Sequence, residues 1–209
     1  MSSIYDKINH LFEKIFKTKF IWNIPNCLSL YRLLAFPFVL AFLIFEKERV
    51  FVILLVINLA TDVLDGLIAR AFHMETEIGA RLDSMADIGT YILAILGVFI
   101  FKWTEFSPFQ VYFFIFLGLF LLPIIITLIK FGRTSSLHLY SNKIGGYIQG
   151  FFFFTLFVFG FYEWFFWIMI ISGYLAFSEG IAIHLISSEI QSNAKGLYWI
   201  LKKRKSSLI

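Results

Sequence analysis

Apolar residues run through this chain in long uninterrupted blocks, with polar positions gathered in the gaps between them. A helix that crosses a hydrocarbon core needs about 20 predominantly apolar residues. Six segments have that character: 27–45, 50–70, 79–101, 108–130, 143–162 and 164–186. None shows the strict alternation of a membrane barrel strand, and in lipid every backbone amide must otherwise be paired within a helix. The pattern therefore predicts an all-α integral membrane protein, multi-pass, with six transmembrane helices forming one domain over 1–209. A different helix precedes the first span. Ile4, Ile8, Leu11, Phe12, Ile15 and Phe16 recur at spacings of three and four, while Asp6, Lys7, Glu13, Lys14 and Lys17 fill the other face. This predicts an amphipathic helix over 3–20 lying in the membrane interface. The alternative is a helix facing water and packed on the protein.

Composition sharpens the class. The chain is 59% hydrophobic, 20% aromatic and only 15% charged, with 28 Phe among 209 residues, whereas soluble domains are about a quarter charged. A soluble core of this size has no room for so many aromatic side chains. The single Cys27 permits no internal disulfide and reads as a small apolar filler at a helix start. The first residues lack the apolar centre and cleavage site of a signal peptide, so they are expected to belong to the mature protein.

Charge gives an orientation. With six spans, all of the 18 Lys and Arg except Lys47, Arg49 and Lys102 fall on the side of the termini. Such a bias predicts cytoplasmic termini. The tail 190–209, with "YWILKKRKS", adds an aromatic anchor and a basic cluster suited to anionic headgroups. The net charge of +4 thus describes a partner of the lipid bilayer, with no need of nucleic acid.

Against this background stand Asp62 and Asp65 near the end of the second span, and Asp83 and Asp87 near the start of the third. The spacings i, i+3 and i, i+4 place each pair on one helix face. A short loop joins the two helices, so all four carboxylates lie at similar depth and can meet. Like charges at that separation require cations, and carboxylate ligands suit a hard divalent ion, Mg²⁺ first. No His or Cys cluster suggests zinc. A carboxylate-held metal pair is in turn a clamp for a diphosphate. Gly66 and Gly79 flank the carboxylates, and a helical Gly lets something bulky approach the backbone. Close packing of membrane helices through small residues, Ala69 included, is the other reading. Four intramembrane carboxylates kept for structure alone would be unusual, since such groups are costly.

The run Asp62-x2-Asp65-Gly66-x2-Ala69-Arg70-x8-Gly79-x3-Asp83-x3-Asp87 resembles, position for position, the signature of the CDP-alcohol phosphotransferase family. The spans and the amphipathic first helix are similar to that family's architecture. The resemblance implies transfer of a phosphatidyl group from CDP-diacylglycerol to an alcohol acceptor, with release of CMP, in phospholipid biosynthesis. It implies that Asp62, Asp65, Asp83 and Asp87 hold two Mg²⁺ or Mn²⁺ ions. It also implies that Gly66, Ala69, Arg70 and Gly79 line the donor site, and that Asp87 is the catalytic general base. A homodimer is implied too, while the charge bias above predicts a cytoplasmic active site.

The acceptor is less sharply marked. "NIPNCLSLYRLLAFP", residues 23–37, is similar to the opening of phosphatidylglycerophosphate synthases and related cardiolipin synthases. Pro25 and Asn26 read as a helix start, with Asn as its cap. Arg32 lies inside an apolar helix and needs a partner, either an Asp or a phosphate. Arg32, Arg133, His138 and Lys143 are the expected acceptor-binding residues, although the basic ones also serve as topology charges. Where that branch carries Lys-x-Lys-Thr-x-x-Gln, this chain has Lys143-Ile144-Gly145-Gly146-Tyr147-Ile148-Gln149. Glycerol 3-phosphate leads; serine, an inositol phosphate and phosphatidylglycerol stay open. Two other classes compete. A cation transporter would distribute its carboxylates through the membrane's depth, and a lipid-binding scaffold would have no use for the fourth Asp.

Overall fold

A computed structural model of the chain describes residues 20–132, 139–187 and 196–206. The predicted amphipathic helix lies outside these residues except for Phe20. The described residues are helical, with turns between and no strand among them. They form two compact units, one ending at Trp103 and the other beginning at Thr104.

The first unit is a trio of long helices: α1 (Ile24–Ile44), α2 (Glu48–Ala71) and α3 (Glu77–Phe101). Helix α1 packs along both α2 and α3. Its start is built differently from the sequence reading. The cap is Asn23, whose extended backbone lets its side chain accept the N–H of Asn26 at 2.9 Å, with Pro25 in the first turn. Asn26 is therefore not the cap. Its amide instead donates to the Ile21 carbonyl at 2.7 Å and accepts from the Thr76 hydroxyl at 3.1 Å. Both residues are polar and either could cap, but only the one preceding the first helical turn has the extended backbone a cap needs. Asn23 also donates to the Met74 carbonyl at 3.0 Å, tying the start of α1 to the α2–α3 connection. At the other end of the trio Lys102 pairs with Glu48 at 2.8 Å. Val39, Leu43, Phe51, Leu55, Leu82, Leu93 and Val98 are among the wholly buried apolar side chains of the three helices.

From the last residue of the first unit, a short helix α4 (Trp103–Phe106) and one 3-10 turn lead into α5 (Gln110–Phe131) of the second. It continues with α6 (Tyr140–Val158), α7 (Glu163–Ile186) and α8 (Leu197–Ser206). Helix α7 packs against α5, α6 and α8. Phe106 sits wholly buried, edge-on to Phe113, Phe152, Phe161 and Phe166. Such edge-to-face pairs add about 0.5–1.5 kcal/mol each beyond the area they bury.

Five stretches are long and apolar enough to cross a membrane: α1, α2, α3, Trp103–Phe131 and α7. Together they make this an integral, multi-pass membrane protein. The sequence predicts a sixth span at 143–162. Helix α6 stands in that place, but it ends at Val158, before Gly160 with its φ of 102°. Its first half carries Ser141, Asn142, Lys143 and Gln149, so its most apolar stretch falls short of those of the five.

Candidate active site

The four Asp residues do come together, around an arginine. Arg32 enters from α1 with its side chain wholly buried and its guanidinium between α2 and α3. Nη1 donates to Asp62 at 2.5 Å and to Asp87 at 2.8 Å; Nη2 donates to Asp65 at 2.7 Å and to Asp83 at 2.6 Å. Each nitrogen thus serves one carboxylate from α2 and one from α3. The similar depth expected from sequence is explained by helix direction. Asn23 bonding to Met74 places the start of α1, the end of α2 and the start of α3 at one end of the trio.

The four carboxylates are not equivalent. The side chains of Asp62, Asp83 and Asp87 are 40%, 43% and 49% exposed, whereas that of Asp65 is 4% exposed. Asp65 is buried behind the guanidinium, where the Ser29 hydroxyl lies 3.0 Å from its Oδ2. One oxygen each from Asp62, Asp83 and Asp87 lies within 4.8 Å of the others, the spread of a metal-binding group. The donor set is all oxygen and anionic, which suits a hard divalent cation. The guanidinium marks the position as one that positive charge stabilises. Four carboxylates face that single cation, and like charges 4 Å apart repel by about 4 kcal/mol at an effective dielectric of about 20. The residues present therefore fit a divalent metal. Asp62, Asp83 and Asp87 would hold it at the accessible side, with Asp65 deeper.

Gly66 and Arg70 continue the face of Asp62 along α2 at intervals of four. A Cβ at Gly66 would meet only Arg70 Nη2, at 3.5 Å, among the described residues. Helix packing within the trio therefore does not require glycine there. Ala69 is half-buried and Arg70 exposed. Gly66→Leu is expected to fold normally, because the added Cβ meets only the flexible end of Arg70. It should weaken cytidine-nucleotide binding about 10–100-fold, the equivalent of the 1–3 kcal/mol that overfilling a site costs. Nucleotide titration in Mg²⁺, together with gel filtration, checks this. An aggregated variant would instead identify close packing as the use of Gly66.

Gly79 has a visible packing use. A Cβ there would stand 2.2 Å from Asn26 Oδ1 and 2.8 Å from Thr76 Oγ1, while the Gly79 N–H donates to that same hydroxyl at 3.0 Å. The glycine lets α3 approach the amide of Asn26.

Of the expected acceptor residues, Arg32 is among the carboxylates. Lys143 is exposed in the first turn of α6. Arg133 and His138 lie outside the described residues. Sequence reasoning missed Ser29. Its signal was its place three residues before Arg32, on the same face of an otherwise apolar helix.

Comparison with known proteins fits this geometry. The sequence model described as CDP-alcohol phosphatidyltransferase matches residues 22–178, three quarters of the chain and parts of both units. Several curated relatives carry the name CDP-diacylglycerol–glycerol-3-phosphate 3-phosphatidyltransferase. The one from Aquifex aeolicus is 33% identical over 96 residues, 46% of this chain and 53% of the relative. That from Cereibacter sphaeroides is 37% identical over 79 residues, 36% of each chain. The Yersinia enterocolitica protein is 43% identical over 79 residues, 36% of this chain and 43% of its own. The matched part therefore spans between about a third and a half of these relatives. No solved structure matches the chain.

Proposed function

Because the chain belongs to the CDP-alcohol phosphatidyltransferase family, we propose that it transfers a phosphatidyl group from CDP-diacylglycerol to a small alcohol, releasing CMP. The observation that carries this reading is the convergence of Asp62, Asp65, Asp83 and Asp87 on one buried cationic position, with Gly66 next to Asp65 on α2. Glycerol 3-phosphate is the acceptor we favour, supported by the names of the curated relatives. The missing second Lys and Thr after Lys143 is the feature that weighs against it.

Asp62, Asp65, Asp83 and Asp87 would hold two divalent ions, Mg²⁺ or Mn²⁺. When bound, such ions neutralise the donor's diphosphate and stabilise charge developing on the phosphoryl oxygens. Gly66 leaves room for the cytidine diphosphate against α2, and Arg70 beside it supplies a cation for phosphate. Asp87, among the more exposed of the four, accepts the proton of the acceptor hydroxyl. The alkoxide oxygen then bonds to the lipid-side phosphorus. The bond from that phosphorus to the bridging oxygen breaks, and CMP leaves with the electron pair. No covalent enzyme intermediate is needed.

The remaining parts of the reading concern assembly. Six spans, with α6 as the fifth of them, place both termini and the Asp cluster on the side rich in Lys and Arg, hence cytoplasmic. A single domain over 1–209 and a homodimer complete it. The test is CMP release from CDP-diacylglycerol by the purified protein with and without Mg²⁺, over glycerol 3-phosphate, serine, inositol phosphate and phosphatidylglycerol. Metal-dependent release with glycerol 3-phosphate alone is the expected result. Release with a different alcohol replaces the acceptor, and no release with any of them removes the reaction.

A further inference from the structure

We infer that Arg32 is the cluster's own resident cation, which the divalent ions exchange with when they bind. The inference rests on the reading of the Asp cluster as a metal centre. Three observations carry it. First, the guanidinium occupies the point on which all four carboxylates converge, with two bonds from each Nη. Three of the residues it engages, Asp62, Asp83 and Asp87, each also offer an oxygen to the group whose spread fits a metal. Lone pairs directed at Nη1 and Nη2 are not directed at an ion in the same place, and a cation of higher charge entering this volume repels the guanidinium. Second, the fit to arginine is incomplete. Nε is buried and has no hydrogen-bond partner, whereas a guanidinium fixed for structure alone normally has its buried donors matched. Third, without a cation at this point α2 and α3 would present opposed carboxylates in an apolar setting. Arg32 draws both pairs to one centre and so keeps the ligands assembled before an ion arrives.

The consequence is a coupling between Arg32 and metal affinity. Binding of the ion carries the cost of displacing the guanidinium, and by reciprocity the bound ion lowers the hold of Arg32 on the carboxylates by the same factor.

The test uses the full chain purified in detergent without substrate, with Mn²⁺ binding followed by electron paramagnetic resonance. Arg32→Met keeps a long flexible side chain and removes the charge. It should bind Mn²⁺ roughly tenfold or more tighter than the wild-type protein, with Arg32→Lys in between. In EDTA the melting temperature of Arg32→Met should fall, and saturating Mn²⁺ should raise it by more than it raises that of the wild type. Equal or weaker Mn²⁺ binding by Arg32→Met overturns the exchange and makes Arg32 a support that stays in place beside the metal. If Arg32→Met fails to fold in EDTA, Arg32→Lys decides, and binding no tighter than wild type overturns the inference. Absence of Mn²⁺ binding by both wild type and variants overturns the metal reading itself, a result distinct from failure of the exchange.

Discussion

Asp62→Ala is expected to abolish CMP release, by about 10³-fold or more, the equivalent of roughly 4 kcal/mol of lost charge stabilisation. The variant should still insert and fold. An apolar residue enters the bilayer more readily than a carboxylate, and Arg32 keeps Asp65, Asp83 and Asp87 as partners, so no buried charge is orphaned. Cytidine-nucleotide binding in Mg²⁺ should disappear together with turnover. Asp65→Ala should lose activity equally and lose more stability, because Asp65 is buried beneath both Ser29 and Arg32. Activity assays, nucleotide titrations and melting curves on the two variants separate these effects. Near-normal nucleotide binding in both would mean that the donor is held somewhere else.

The second large effect belongs to Asp87. Asp87→Asn preserves size and one oxygen that can accept from Arg32, as Oδ1 now does at 2.8 Å. It cannot take a proton from an alcohol. Metal and donor binding should therefore survive largely intact, while kcat falls about 10²–10⁴-fold, the usual loss for a missing general base. The loss should lie in kcat more than in KM, since the missing interaction belongs to the transition state. Steady-state kinetics at saturating donor check it. Nearly full turnover would remove Asp87 from the base role. Loss of metal binding equal to that of Asp62→Asn would leave it as a ligand alone.

How much of this was legible in the sequence depended on the kind of signal. The meeting of two Asp pairs was legible, because helical spacing fixes each pair on one face and a short connection fixes their depth. The apolar blocks likewise announced the long helices. The position of Arg32 was legible only in part. The need for a partner follows from burial, but the choice between carboxylate and phosphate depends on how α1 is rotated. A helix apolar on every side carries little information about its rotation. For the same reason Asp65 could not be told from its three more exposed neighbours, and Ser29 passed unnoticed. The capping asparagine was misread because two Asn residues flank Pro25 and only backbone geometry distinguishes them. The use of Gly79 beneath the Asn26 amide could not be read locally either, since those residues are far apart in the chain. The apolar spacing also located α6, while its polar first half leaves it short of the apolar character of the other five.

The order in which Arg32 acquires its partners has a consequence for biogenesis. Asp62 and Asp65 lie 30 and 33 residues downstream of it, and Asp83 and Asp87 lie 51 and 55 residues downstream. A chain leaving the ribosome therefore presents the arginine first, then one pair of acids, and only later the other. At roughly 5–20 residues per second the interval between the pairs is on the order of seconds. During that time the α1–α2 hairpin already carries an internal counter-charge for its two carboxylates, so the translocon receives a segment of reduced electrostatic cost. The later helix then meets a guanidinium that already has one carboxylate for each Nη, with one further bond on each left for Asp83 and Asp87.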